Sequence, residues 1–173
     1  MAVNRFQSLA ILVIFAITCL ATGIFGGLLT NPSISSGWYD SLVKPTFTPP
    51  AWVFGPVWTF LYLLMAVSAW LVWSEQARHP VRIPLLVFFT QLVLNVLWSA
   101  FFFGARKPGW AFVEIVVLWG LILVMIILFW KISRPAALLL LPYSVWVLFA
   151  MVLNGTIWWM NRGLPPVDGG ILS

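Results

Sequence analysis

Of the 173 residues, 62% are apolar and only 8% charged, with a mean hydropathy of +1.04, whereas a soluble domain carries about a quarter charged residues. This excludes a soluble enzyme and places the chain in a membrane. The net charge of +5 is scattered singly over chain ends and short connections, so there is no basic stripe for nucleic acid, and the lone Cys19 excludes an internal disulfide.

Five apolar runs follow in chain order, at 6–29, 51–73, 83–103, 110–130 and 136–160. At about 1.5 Å per helical residue, each can cross the roughly 30 Å hydrocarbon core. Arg5 and the first run imitate a secretory signal. The run continues past the roughly 7–15 residues of a signal core with no small-x-small cleavage site, so it reads as a mature span. The connections after the second run (SEQARHPVR, GARKPG, KISRP) are short, which makes consecutive spans antiparallel neighbours. The expected fold is all-α: a polytopic membrane protein, with residues 1–173 forming one bundle of five transmembrane helices. Arg5, Arg78, Arg82, Lys131 and Arg134 fall on one side, and Lys44, Arg106, Lys107 and Arg162 on the other, a balance too even for the positive-inside rule to set an orientation.

Between the first two spans lies the expected lid, residues 30–50. Pro45, Pro49, Pro50 and Pro56 exclude helix or paired strand from the first half of the stretch 38–62. Trp38, Tyr39, Phe47, Trp52, Phe54, Trp58, Phe60 and Tyr62 supply too much aromatic surface for a solvated loop. It reads as a rigid aromatic lid running into the second helix.

Three spans carry stripes at helical spacing, each on one helix face. They are Trp58, Tyr62 and Met65; Gln91, Asn95 and Trp98; and Trp146, Ala150 and Asn154. Amides in hydrocarbon need partners, so Gln91, Asn95 and Asn154 point inward, either as ties between helices or toward a ligand. Aromatic rings on the same faces favour the ligand. Trp52, Trp70, Trp73, Trp110, Trp130, Trp158 and Trp159 sit at span ends as interfacial anchors. Trp58, Trp98, Trp119 and Trp146 lie deeper, where an indole N–H wants a partner; Trp119 has no polar neighbour on its own face and reads as core or lipid-facing. Glu114, five residues past Gly109, reads either as an interfacial acid paired with Arg106 or Lys107 or as a functional intramembrane carboxyl. In the first span Gly23 and Gly27 form a small-xxx-small pair that allows close helix approach.

No His, Cys or carboxylate cluster has metal-ligand spacing, so no metal site or required cofactor is expected. The lone His79 lies in the connection opposite the lid, and a haem bound under the lid would lack histidine ligation. No serine has a general base within reach.

Taken together, Trp38-Tyr39, Lys44-Pro45-x-Phe47-x-Pro49-Pro50-x-Trp52-Val53-Phe54, Trp58-Thr59-x-x-Tyr62, Gln91-x-x-x-Asn95-x-x-Trp98, Phe102-Phe103-Gly104-Ala105-Arg106 and Pro142-Tyr143-x-x-Trp146 with Ala150 and Asn154 resemble the translocator protein / tryptophan-rich sensory protein family. The match runs over about residues 8–162. The resemblance implies a five-helix bundle, commonly a homodimer in the lipid bilayer, with a pocket closed by the first loop. It implies tetrapyrrole ligands such as protoporphyrin IX and haem, sterols, and synthetic benzodiazepine-type drugs. Family pocket residues fall on Trp38, Tyr39, Trp58, Tyr62, Asn95, Trp98, Trp146 and Ala150, to which the lid and stripes add Pro45, Phe47, Gln91 and Asn154. The sterol-recognition pattern lacks its tyrosine here, because Trp158 and Trp159 precede Arg162.

The expected function is a membrane receptor or sensor that binds a tetrapyrrole, and possible sterols, under the lid. Two alternatives stand beside it. One, implied by the resemblance, is light-dependent porphyrin breakdown with Trp58 and Trp146 as electron donors. The other is a tetrapyrrole or sterol transporter, against which stands the lack of deep charge or paired broken helices.

Overall fold

The computed structural model describes residues 5–163. Helices lie at Arg5–Ser35 (α1), Trp38–Ser41 (α2), Ala51–Ser74 (α3), Arg82–Ser99 (α4), Pro108–Trp130 (α5), Arg134–Leu139 (α6) and Leu141–Asn161 (α7). Five stretches are long and apolar enough to span a membrane: α1, α3, α4 with its continuation to Gly104, α5, and α6 with α7. Large apolar side chains such as Val13, Phe60, Val93, Val117 and Val152 are exposed on the outer faces of all five. In water such a surface would aggregate; here it faces lipid. The protein is an integral, multi-pass membrane protein.

The inward faces follow the helical period. On α5 the buried positions are Ala111, Glu114, Ile115, Leu118, Ile122, Met125 and Phe129, one stripe at spacings of three and four. α1 packs between α3 and α4, α4 against α5, and α5 against α7. The ring closes unevenly: α6 packs closely on α3, whereas α7 touches it far less. At the α6 end Ser68 Oγ donates to the Ala136 carbonyl (2.7 Å), and Ser133 caps α6 by accepting from the Ala136 N–H. Pro142 lacks the N–H that would carry α6 into α7, and the fifth span breaks at Leu140. The seam between α3 and α7 is therefore tight at the end away from the lid and bridged mainly by side chains beneath it.

Three boundaries differ from the sequence expectation. α1 continues through Pro32 to Ser35, which leaves 36–50 rather than 30–50 as the connection. It ends where Gly37, at φ 74°, donates its N–H to the Ile34 carbonyl; a left-handed residue just past a helix end favours glycine. The lid then opens with one helical turn, Trp38–Ser41, because the proline restraint begins only at Lys44, the residue before Pro45. Finally, α4 widens into a π-helical turn over Ala100–Gly104, with the Ala105 N–H reaching back to the Ala100 carbonyl (2.7 Å).

Candidate functional site: an aromatic seam beneath the lid

The lid is held from both sides. Trp38 is 2% exposed and meets Phe102 edge-on at 6.0 Å, while Tyr39 lies 5.6 Å from Phe103. The π turn makes this possible: its extra residue brings both Phe102 and Phe103 round to Trp98, at 5.3 and 5.9 Å. The Lys44 ammonium donates to the Tyr39 and Asp40 carbonyls at the end of α2 and lies 4.6 Å above the Tyr39 ring. Burial, and then the neighbouring Asp40, push the Tyr39 phenol above its ordinary range. Arg106, at φ 54°, donates to Ser36 Oγ (3.0 Å) and covers the Trp38 ring at 5.8 Å. Ser33 Oγ donates to the Phe103 carbonyl, tying α1 to the π turn. At the far side Asn161 pairs with the backbone of Val43. Pro45 turns the chain, its carbonyl accepting from both the N–H and the hydroxyl of Thr48. Phe47 is half-exposed and reaches Phe149 at 6.4 Å.

Beneath the lid, α3 and α7 meet through rings. Phe54 lies 5.9 Å from Trp146, Trp58 lies 6.2 Å from Tyr143 and 5.4 Å from Tyr62, and Trp146 lies 5.4 Å from Phe149. Trp58, Trp146 and Ala150 are each partly buried.

The amides take the first of the two roles open to them: they tie helices together. Tyr62 donates to Asn95 Oδ1 (2.8 Å), Asn95 Nδ2 donates to the Tyr143 hydroxyl (3.2 Å), and that hydroxyl donates to Gln91 Oε1 (2.7 Å). Gln91 Nε2 faces the Met65 sulfur at 3.8 Å. Asn154 accepts from the Trp98 indole (2.9 Å) and donates to the Pro108 carbonyl (2.8 Å), joining α4, α5 and α7. Each such bond between membrane helices is worth about 0.6 kcal/mol on average; their number fixes the register of four spans.

Several residues are placed otherwise than the sequence suggests. Trp119 packs against the core, one of its two expected places, and also finds a partner the sequence did not show, donating to the Ser144 carbonyl (3.2 Å) on the next span. Glu114 does not pair with Arg106 or Lys107: it is 7% exposed, and neither carboxylate oxygen has a hydrogen-bond partner. Gly23 abuts Tyr62, but the second close glycine is Gly26, against Ser99, whereas nothing approaches Gly27. Tyr143 is the hub of the amide network, and its place three residues before Trp146 on the same face was the available signal. Phe102, Phe103, Phe149 and Asn161 also belong to the site. A separate groove of about 520 Å³ lies on the outer face of α5 and α7, lined by Phe112, Met151, Val152, Gly155, Thr156 and Trp159; none of the expected ligand-facing residues lines it.

A five-span helical bundle whose interior is tied by amides and lined by indoles beneath a proline-braced loop defines a membrane protein organised around one internal aromatic site. The chain belongs to the TspO/MBR family, whose model matches residues 15–160. It is 42% identical over 144 residues to the tryptophan-rich protein TspO of Chlorobaculum tepidum, covering 83% of this chain and 90% of that one. It is 40% identical over 128 residues to the human translocator protein, covering 73% and 76%. It is 31% identical over 156 residues to the tryptophan-rich sensory protein of Cereibacter sphaeroides, covering 90% and 94%.

Proposed function

We propose that this protein is a membrane receptor that holds a planar tetrapyrrole, protoporphyrin IX or haem, in the α3–α7 seam beneath the lid. Membership of the TspO/MBR family supports the broader part of this reading, a membrane sensor or receptor role. The observation that carries the finer part is the seam itself. Among the described residues, it is a junction of the ring in which rings from two helices, Phe54 and Trp58 on one side and Tyr143 and Trp146 on the other, replace close backbone packing. These rings meet one another edge to face; a flat conjugated ligand entering the seam would part them and stack on the faces so exposed, worth about 0.5–1.5 kcal/mol per ring pair beyond burial. The indole faces supply the contact, and the bonded amides fix Tyr143 beside Trp58. A sterol is the weaker candidate, since Arg162 stacks on Trp159 at 3.1 Å outside the seam.

The test is titration of protoporphyrin IX into the purified protein in detergent, read by porphyrin fluorescence. Saturable binding is expected, weakened about tenfold or more in the Trp58→Ala/Trp146→Ala double variant and unchanged in His79→Ala, whose residue lies at the opposite end. Binding that does not saturate, or that survives loss of both indoles, would refute the seam as the site.

A further inference from the structure

With the amides bonded to Tyr62, Tyr143, Trp98 and the Pro108 carbonyl, the hydrogen-bonding capacity left inside the bundle is small and specific. Among the described residues, the buried side-chain nitrogen and oxygen atoms without a partner are the two carboxylate oxygens of Glu114 and the indole nitrogen of Trp146. Glu114 stands on the interior stripe of α5 between Ala111 and Leu118, in the stretch that the Asn154–Pro108 and Trp119–Ser144 bonds tie to the part of α7 carrying Trp146. No cation answers it: among the described residues the ion pair is Arg78 with Glu75, at the far end, and Arg106 is turned to Ser36.

A buried carboxyl with no partner destabilises a fold, and an apolar side chain of similar size would pack better. Its presence in a membrane span calls for a role that folding does not supply. Trp146 Nε1 is a donor only, whereas a carboxyl accepts, and shares or donates a proton. A ligand that satisfies both must bring an acceptor and a proton-bearing donor on an apolar body.

We propose that Glu114 is the specificity-determining residue of the seam, reading a proton-bearing donor on the ligand, with a carboxylic acid arm as the group that suits both Glu114 and the Trp146 indole. Two carboxyl groups sharing one proton make a strong hydrogen bond. An esterified arm can still accept, from the indole or from a protonated Glu114, but it has no proton to share, so the stronger acid–carboxylate bond is lost. This inference rests on the tetrapyrrole reading and adds the part of the ligand that is recognised.

The experiment compares protoporphyrin IX with its dimethyl ester, on wild type and on Glu114→Leu, by fluorescence titration and thermal unfolding in the same detergent. Wild type is expected to prefer the free acid by about tenfold or more. In Glu114→Leu that preference should collapse to about threefold or less, with ester affinity kept and thermal stability equal or higher. A preference that survives the substitution overturns the proposal and leaves the tetrapyrrole reading standing. A fall in stability, or loss of folded protein, overturns it by showing that the carboxyl is structural. If neither probe binds wild type, the tetrapyrrole reading fails and this inference falls with it.

Discussion

The carboxamide of Asn161 pairs with the backbone of Val43 as a neighbouring strand would: its oxygen accepts from the Val43 N–H at 3.0 Å, and its nitrogen donates to the Val43 carbonyl at 2.9 Å. One side chain at the end of the last helix thus latches the middle of the lid. Asn161 is 4% exposed, whereas Val43 is 42% exposed, so water replaces the lost amide only in part. In Asn161→Ala both Val43 groups lose their partner, at a cost of about 0.5–1.5 kcal/mol for each bond. Hydrogen exchange at the Val43 amide is expected to rise by about tenfold or more, with the α5 core unaffected. An unchanged rate would show that the ring contacts hold the lid unaided.

A second prediction concerns helix approach in α1. A Cβ on residue 23 would lie 2.7 Å from the Tyr62 ring, while one on residue 27 would meet nothing within 4 Å. Gly23→Ala is expected to cost about 1–3 kcal/mol by overpacking and to disturb the Tyr62 bond to Asn95. Gly27→Ala should be neutral or slightly stabilising, since alanine is the better helix former. Thermal unfolding in detergent decides it, and equal effects would contradict the packing described.

The lid should also loosen in alkali. Burial and then Asp40 raise the Tyr39 phenol above its ordinary value of 10.0, so the folded lid holds that proton more tightly than an open chain does. A group raised in this way stabilises the folded form fully below its unfolded value, and the contribution drains away as pH climbs through that value toward the folded one. The stability difference between wild type and Tyr39→Phe should therefore stay constant between about pH 6 and pH 9 and change above about pH 10. Melting temperatures of the two proteins across that range supply the check; a difference that stays flat throughout would contradict it.

Binding and photochemistry can be separated at Trp58 and Trp146. Phenylalanine keeps an aromatic face, so Trp58→Phe and Trp146→Phe should each hold protoporphyrin IX within a few-fold of wild type, less than about 1 kcal/mol. If the indoles donate electrons to an illuminated porphyrin, the same variants slow its absorbance loss under air markedly. Equal rates in wild type, both single variants and the double variant would leave a receptor without this chemistry.

The spans were legible because each needs about 20 apolar residues, and the pairs Trp58–Tyr62 and Gln91–Asn95 were legible as i and i+4 neighbours. Which of two roles the amides fill was not, because that depends on what stands opposite: Asn95 meets Tyr62 and Tyr143 from two other helices. Asn161 resembled any polar residue at a span end, its partner lying 118 positions away in sequence. The break before α7 did carry a signal in Pro142, masked by the unbroken apolar run around it. The π turn carried none, for AFFFG is as apolar as the helix it interrupts.

That turn also sets how the third span tolerates a change in length. Ala100–Gly104 holds a residue beyond what a regular helix of the same height requires, so a one-residue deletion there can be absorbed by reverting to the ordinary hydrogen-bond pattern. The downstream end would then keep roughly its facing, whereas the same deletion in the regular helix before the turn would rotate it by about 100°. In that second case Arg106 would swing away from Trp38, and the entry into α5 would be re-aimed. A deletion scan across 96–104 should therefore separate insertion into the membrane from lid docking, keeping the first and abolishing the second when the missing residue comes from the helix before the turn.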